Sequence, residues 1–248
     1  MKRIFSLLLA ACMLLLFSVP AAAAGPKPGA VVELYSAEGV YTDSVGNTTS
    51  YTFHVPLIAE DTRDAKAIND EICDEFGKLV EDQLKNMEGG FSLWSWDVEW
   101  HAYWHGSRLF LLIKADMEGG FTDYAAYGFD FDSGKRVTNK DILRSLGISE
   151  KEYLANLREK VQFMFEDMYK NLSEKDRKAL GYDELLKKTL SWADLDQPML
   201  IDGSGNVETV VKIASVAGAE WYYHLCTPFS YGLKNLAGFL KKALAFRK

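Results

Sequence analysis

The chain has 248 residues, of which 48% are apolar and 25% charged, and its formal charge is -7. It is too apolar for wholesale disorder and long enough for one large domain or two small ones. The acidic balance excludes a nucleic-acid binder that works by replacing phosphate counterions with a basic face.

At the N-terminus, Lys2 and Arg3 precede a mostly apolar run from Ile4 to Val19, and Ala22 to Ala24 offer a small-residue cleavage site. Residues 1–24 therefore read as a secretory signal; the run is short for a span of ~20 residues, and Pro20 ends it. Cleavage removes Lys2 and Arg3 and takes the charge from -7 to -9. Leu9-Ala10-Ala11-Cys12 offers a lipoprotein anchored at Cys12 as the alternative, but the chain stays apolar from Met13 to Val19, where a polar tether would normally begin. The expected location is outside the cell, in or on the envelope.

Gly25 to Gly29 is a Pro/Gly linker, and Val31–Tyr35 and Tyr41–Val55 read as strands with turns at Ser36–Gly39 and Gly46–Asn47. Residues 25–50 are thus read as linker and first strands, and 51–248 as a single α+β domain. Asp64 to Met87 reads as a helix, with Ile68, Ile72, Phe76, Leu79, Val80, Leu84 and Met87 on one stripe. Cys73 lies near that stripe. In an exported chain it can bridge to Cys226, the only other cysteine after the signal, and closing so long a loop would stabilise by ~4–5 kcal/mol. A buried free thiol is the competing reading.

In Trp94 to His105 the even positions are Trp94, Trp96, Val98, Trp100, Ala102 and Trp104. The odd positions are Ser95, Asp97, Glu99, His101, Tyr103 and His105. Period two makes this a strand with one apolar and one polar face. Burying a tryptophan removes ~150–250 Å² from water, so most of the four are expected in the core. Trp94 and Trp104, at the strand ends, remain candidates for stacking on a sugar ring or a partner. On the other face, Asp97, Glu99, His101 and His105 are spaced as metal ligands or paired carboxylates can be. One wet face of an antiparallel sheet explains the same pattern.

Leu109 to Ala115 reads as a central strand, paired to the previous one through the turn at His105–Arg108. Met-Glu-Gly-Gly-Phe occurs twice, at Met87–Phe91 and Met117–Phe121, and reads as a reused turn. Asp132 to Lys135 is a hairpin turn, and Thr138 or Asn139 can cap a short helix reaching Leu146.

The segment Tyr127 to Leu143, YGFDFDSGKRVTNKDIL, resembles the signature Y-x-F-D-x-x-T/S-G-K-x-L-T-x-x-D-L/I-F/L, with Val137 in place of the leucine. That signature belongs to the extracytoplasmic domain shared by the lysozyme-sensing anti-sigma factor RsiV and some peptidoglycan deacetylases of Gram-positive bacteria. YTFHVPLI followed by AINDEI is similar to the opening of that domain, and GNVETVVKI followed by CTPFSYGLKNL to its close, so the resemblance runs from Tyr51 to Leu240. It implies a free-standing secreted version, whose target class is cell-wall glycan or a wall-directed protein such as lysozyme. No second catalytic domain and no cytoplasmic anti-sigma segment accompanies it, so neither the deacetylase activity nor the sensing role transfers.

Ser149 with Glu152 forms a capping box before a helix whose stripe is Tyr153, Leu157, Val161, Met164, Phe165 and Met168. Shorter helices follow at Ser173–Leu180 and Tyr182–Trp192, and Met199 to Ala214 is a hairpin. Asp202, Ser204, Asn206 and Glu208 alternate, but the glycines are misplaced for a calcium loop, so a turn is expected. The tail from Gly232 carries Lys234, Lys241, Lys242, Arg247 and Lys248 with four leucines and no acid. It reads as a cationic amphipathic helix that either packs on the sheet or touches a wall or membrane surface.

The expected fold is α+β, an antiparallel sheet of about six or more strands packed against several helices. The expected role is non-catalytic binding without a cofactor. An acidic surface would steer a cationic partner such as lysozyme. The alternative is a cell-wall hydrolase or deacetylase with a metal or carboxylate site on the Asp97–His105 strand.

Overall fold

The computed structural model describes residues 27–215 and 220–230. The segment read as a secretory signal, with Cys12, and the basic tail from Gly232 lie outside the described residues.

Six strands form one sheet in the order β1 (Val31–Thr42), β2 (Thr48–Ile58), β3 (Ser95–His105), β4 (Arg108–Met117), β5 (Phe121–Asp130) and β6 (Lys135–Arg136). Three more, β7 (Met199–Ile201), β8 (Val207–Ala214) and β9 (Trp221–Phe229), form a second sheet. The α+β architecture is as expected. The pairing departs from all-antiparallel at one place: β2 and β3 run parallel, because the helical crossover between them returns the chain in the same direction. The expected break at Ser36–Gly39 is absent, and β1 pairs with β2 from Val31 opposite Ile58 to Thr42 opposite Thr48.

The crossover consists of α1 (Arg63–Ile72), a π-helical turn (Cys73–Gly77) and α2 (Lys78–Glu88). The fully buried residues Ile68, Ile72, Phe76 and Val80 recur every four positions. Each step of four overshoots a 3.6-residue turn, so the stripe would drift off the sheet. The wider π turn, closed by Lys78 N–H donating to Cys73 O, takes up the drift. Thr62 caps α1, and Asn69 brackets the end of β2: its Oδ1 accepts from Ile58 N–H at 2.8 Å and its Nδ2 donates to Ile58 O at 3.0 Å.

β4 is buried on both faces, which is why its run is apolar without alternation. Leu109, Leu111 and Ile113 face the crossover helices together with Phe53, Val55 and Val98. Phe110 and Leu112 face the second sheet and join Leu200, Val207 and Val211. The far side of the second sheet is closed by α4 (Glu150–Met168) and α6 (Tyr182–Trp192), reached through α3 (Asn139–Leu146) and α5 (Glu174–Ala179). The layers thus run helix, six-stranded sheet, three-stranded sheet, helices. Thr138 and Asp141 form a reciprocal capping box for α3, and Ser149 accepts from Glu152 N–H to start α4. Tyr153 of α4 crosses to β8, its hydroxyl 2.8 Å from the Thr209 hydroxyl, with both residues fully buried.

Two hairpin turns share one design. In Asp43–Asn47 and Asp202–Asn206 the first aspartate accepts from the backbone N–H two and four residues on and from the asparagine side chain. Asp202–Asn206 is therefore a turn held by its own side chain, as the glycine spacing predicted. In the first turn Ser92 Oγ also donates to Asp43, and these bonds hold the Asp43 carboxyl down at about 2. The turn itself covers those oxygens, not the protein interior. The second Met-Glu-Gly-Gly-Phe segment is the β4–β5 turn, in which Gly119 and Gly120 both take positive φ.

Candidate functional site

The residues singled out on β3 do not converge. Trp94, just before the strand, is 39% exposed. Trp96, Trp100 and Trp104 are half-buried, so the expectation of a buried tryptophan face is corrected. A register shift between Ser95 and Asp97 sends Ser95 inward next to Trp96; beyond it Val98, Trp100, Ala102 and Trp104 keep their period of two on the core face, where only Val98 is fully covered. Trp104 stacks on Phe131 at 5.4 Å and packs against the core between the six-stranded sheet and the crossover helices, so packing accounts for this ring without a ligand. Trp100 also lies against that core and donates from Nε1 to Glu33 at 3.0 Å.

The opposite face of β3 is wet only in part. Asp97 sits 3.8 Å from the Lys114 amine, and Lys114 pairs more closely with Asp116, at 2.9 Å. Partial burial, then the Glu99 charge, pushes the Asp97 carboxyl above its usual range against the pull of Lys114. Glu99 is half-buried and His101 exposed. His105 Nε2 lies 2.8 Å from the Asp202 carbonyl, so it ties β3 to the β7–β8 turn. Among the described residues, no group of three or more His, Cys, Asp or Glu is placed to hold a metal ion.

The disulfide reading is also corrected: Cys73 and Cys226 are free thiols. Cys73 lies on the π turn above one face of the six-stranded sheet, and Cys226 is buried in the second sheet beyond the other face. A bridge needs Cα atoms within ~7 Å, and the intervening layer forbids it. Burial pushes the Cys226 thiol up to about 12, which makes it inert.

What the fold does build is a groove along one side of β5. Its larger part, about 780 Å³, runs beside Tyr124 to Gly128; one wall is Glu71 of α1 and Glu75 of the π turn, the other Lys212 and Tyr223 of the second sheet. A smaller hollow of about 300 Å³ continues it past Gly119 to Thr122, and Tyr124 and Tyr223 line both. Phe121 stacks on Tyr222 at 4.7 Å at that end. At the other end Arg136 bridges to Glu71 at 2.7 Å. Lys212 lies over the Trp221 and Tyr223 rings, 4.5 and 5.5 Å from their centroids.

The helix wall is acidic and crowded. Burial, then the Asp123 and Glu71 charges, raises the Glu75 carboxyl, while a hydrogen bond from Tyr127 partly offsets this. Because Glu75 as a whole stays exposed, water screens much of that effect. Burial likewise raises Asp123 and Tyr127. None of these groove residues stands out in the sequence. Glu71 and Glu75 read as the solvated side of a helix, and Lys212 and Tyr223 as alternate strand positions. Only the packing of α1 and the second sheet on either side of β5 brings them together.

Comparison of the chain with protein-family models and with curated proteins finds no match.

Proposed function

We propose that the protein is a secreted, cell-envelope-associated binding domain without catalytic activity, and that its ligand lies in the groove beside β5. The target class is cell-wall glycan or a wall-directed protein such as lysozyme. The observation that carries this reading is the groove itself: about 780 Å³, open, and walled by aromatic rings and unlike charges. Rings such as Tyr124, Tyr223 and Phe121 offer stacking faces, and an acidic wall favours cationic groups. The formal charge of -7, or -9 without the signal, would steer a cationic partner toward the molecule.

The hydrolase or deacetylase alternative is supported less well. Two of its residues on β3 are engaged, His105 with Asp202 and Asp97 with Lys114, and among the described residues no group of three or more His, Cys, Asp or Glu is placed to hold a metal ion.

Co-sedimentation with purified peptidoglycan, with and without lysozyme across a salt series, tests the proposal. Pelleting that is lost in Tyr223→Ala and Glu75→Lys, but kept in His101→Ala, is the expected result. Retention only with lysozyme, weakening with salt, selects the protein target. Absence of binding under both conditions, or binding indifferent to the groove variants, overturns it.

A further inference from the structure

Antiparallel strands turn alternate backbone groups toward alternate neighbours. On β5 the direction is fixed by two bonds to the β6 side: Val137 N–H donates to Gly128 O at 2.8 Å, and Gly134 N–H to Asp130 O at 2.8 Å. Even-numbered residues of β5 therefore aim their N–H and C=O groups away from β4. β6 pairs only with Phe129 and Asp130, so Thr122, Tyr124 and Ala126 aim theirs into the groove. No backbone or side-chain partner meets those groups among the described residues.

Sheet edges of this kind are normally blunted by charge, proline, a bulge or shortness. The opposite edge of the same sheet shows such devices: β1 carries Glu33 and Glu38 and a register shift between Glu33 and Tyr35. The free stretch of β5, Thr122 to Tyr127, carries one charge, Asp123, and no proline, no lysine and no bulge. It is sheltered between two walls, which keeps other edges away.

We propose that the β5 edge is a strand-addition site, which takes an extended cationic peptide segment from a partner protein as a seventh strand of the sheet. The inference rests on the groove being the binding site and names what fills it. Main-chain groups of the guest pair with Thr122, Tyr124 and Ala126, and its alternate side chains meet the two walls. The helix wall fixes the guest's charge. Glu75, whose carboxyl also feels the Asp123 charge, has no cationic partner among the described residues, and Arg136 is engaged by Glu71. Lysine or arginine on the guest's side facing Glu75 satisfies that wall. Apolar residues between them lie toward Tyr124 and Tyr223 on the other. Six residues of β5 span ~20 Å, so a guest of about seven residues covers the free edge.

The test uses the purified protein and a fluorescein-labelled heptapeptide alternating lysine and valine, Lys at both ends. Binding is followed by anisotropy and the backbone by amide hydrogen exchange. The expected result is saturable binding with slowing of exchange at Thr122, Tyr124 and Ala126 by at least about tenfold. Glu75→Lys, an exposed position, weakens binding on the order of tenfold at low salt. A fully N-methylated peptide of the same charge does not bind. Equal binding of the N-methylated peptide, or binding without protection of the three amides, shows charge attraction alone and overturns the inference. So does finding those amides already protected in the free protein, because another segment or a second copy then occupies the edge. If the heptapeptide fails while peptidoglycan still pellets the protein through Tyr223, strand addition is wrong and the binding function stands. If both fail, both are wrong.

Discussion

Replacing Tyr153 with phenylalanine removes one oxygen from the contact that locks α4 to the second sheet. Its hydroxyl lies 2.8 Å from that of Thr209, and both residues are fully buried. A buried neutral hydrogen bond contributes ~0.5–1.5 kcal/mol net, but stranding one partner costs ~1–3 kcal/mol. Tyr153→Phe leaves the Thr209 hydroxyl, which can rotate, so about 1–2 kcal/mol is expected. Thr209→Val leaves a phenol oxygen fixed at the ring edge, so it should cost at least as much. In the double variant no polar group is stranded and the volume is nearly kept, so the two losses should not add. The expected coupling is about 1–2 kcal/mol. Urea unfolding of the four proteins measures it, with an unchanged m-value as the check that only stability moved. In thermal melts, each kcal/mol should appear as about 2–4 °C for a domain of this size. Strictly additive losses, or a Tyr153→Phe variant as stable as the parent, would refute the idea that this bond joins the layers.

Phe110→Ala, emptying a fully buried position between the two sheets, should cost about 3–5 kcal/mol in the same assay. Gly128→Ala should cost about 1–3 kcal/mol although it adds one methyl, because that carbon would sit 2.9 Å from Val137 Cβ and 3.1 Å from Phe110. The two histidines should show opposite pH behaviour. The Glu38 carboxylate, then Glu33, raises His54 above 6.5; its contribution is complete below that value and fades as pH rises through the raised one, so His54→Asn should hurt more at pH 5 than at pH 8. Burial lowers His224 below 6.5; its contribution is complete above 6.5 and fades as pH falls, so His224→Phe should reduce acid sensitivity below that point. Urea midpoints across pH 5–8 check both, and parallel shifts in the two variants would contradict them.

Much of the fold is written in local patterns. The stripe from Ile68 to Met87, the caps at Thr138 and Ser149 and the unalternating run of β4 each follow from side-chain periodicity and from satisfying the first N–H groups of a helix. Those features need only neighbours in sequence. The tryptophan strand shows where this stops. Its period of two is legible, and Val98, Trp100, Ala102 and Trp104 share the core face as that period requires, but the register shift at Ser95–Asp97 and how deeply each ring is covered depend on the neighbouring strands and helices. Cys73 and Cys226 could be counted but not placed, because their separation depends on which face of the sheet each layer takes. The groove lies furthest from the sequence. Its walls come from α1 and from β8 and β9, and its floor from a strand whose edge is open because β6 stops after two residues. Local propensity and amphipathic pattern determine elements and which of their faces are buried. The sites between elements exist only once layers pack, since distant side chains such as Glu75, Ala126 and Tyr223 acquire a common surface through tertiary contacts alone.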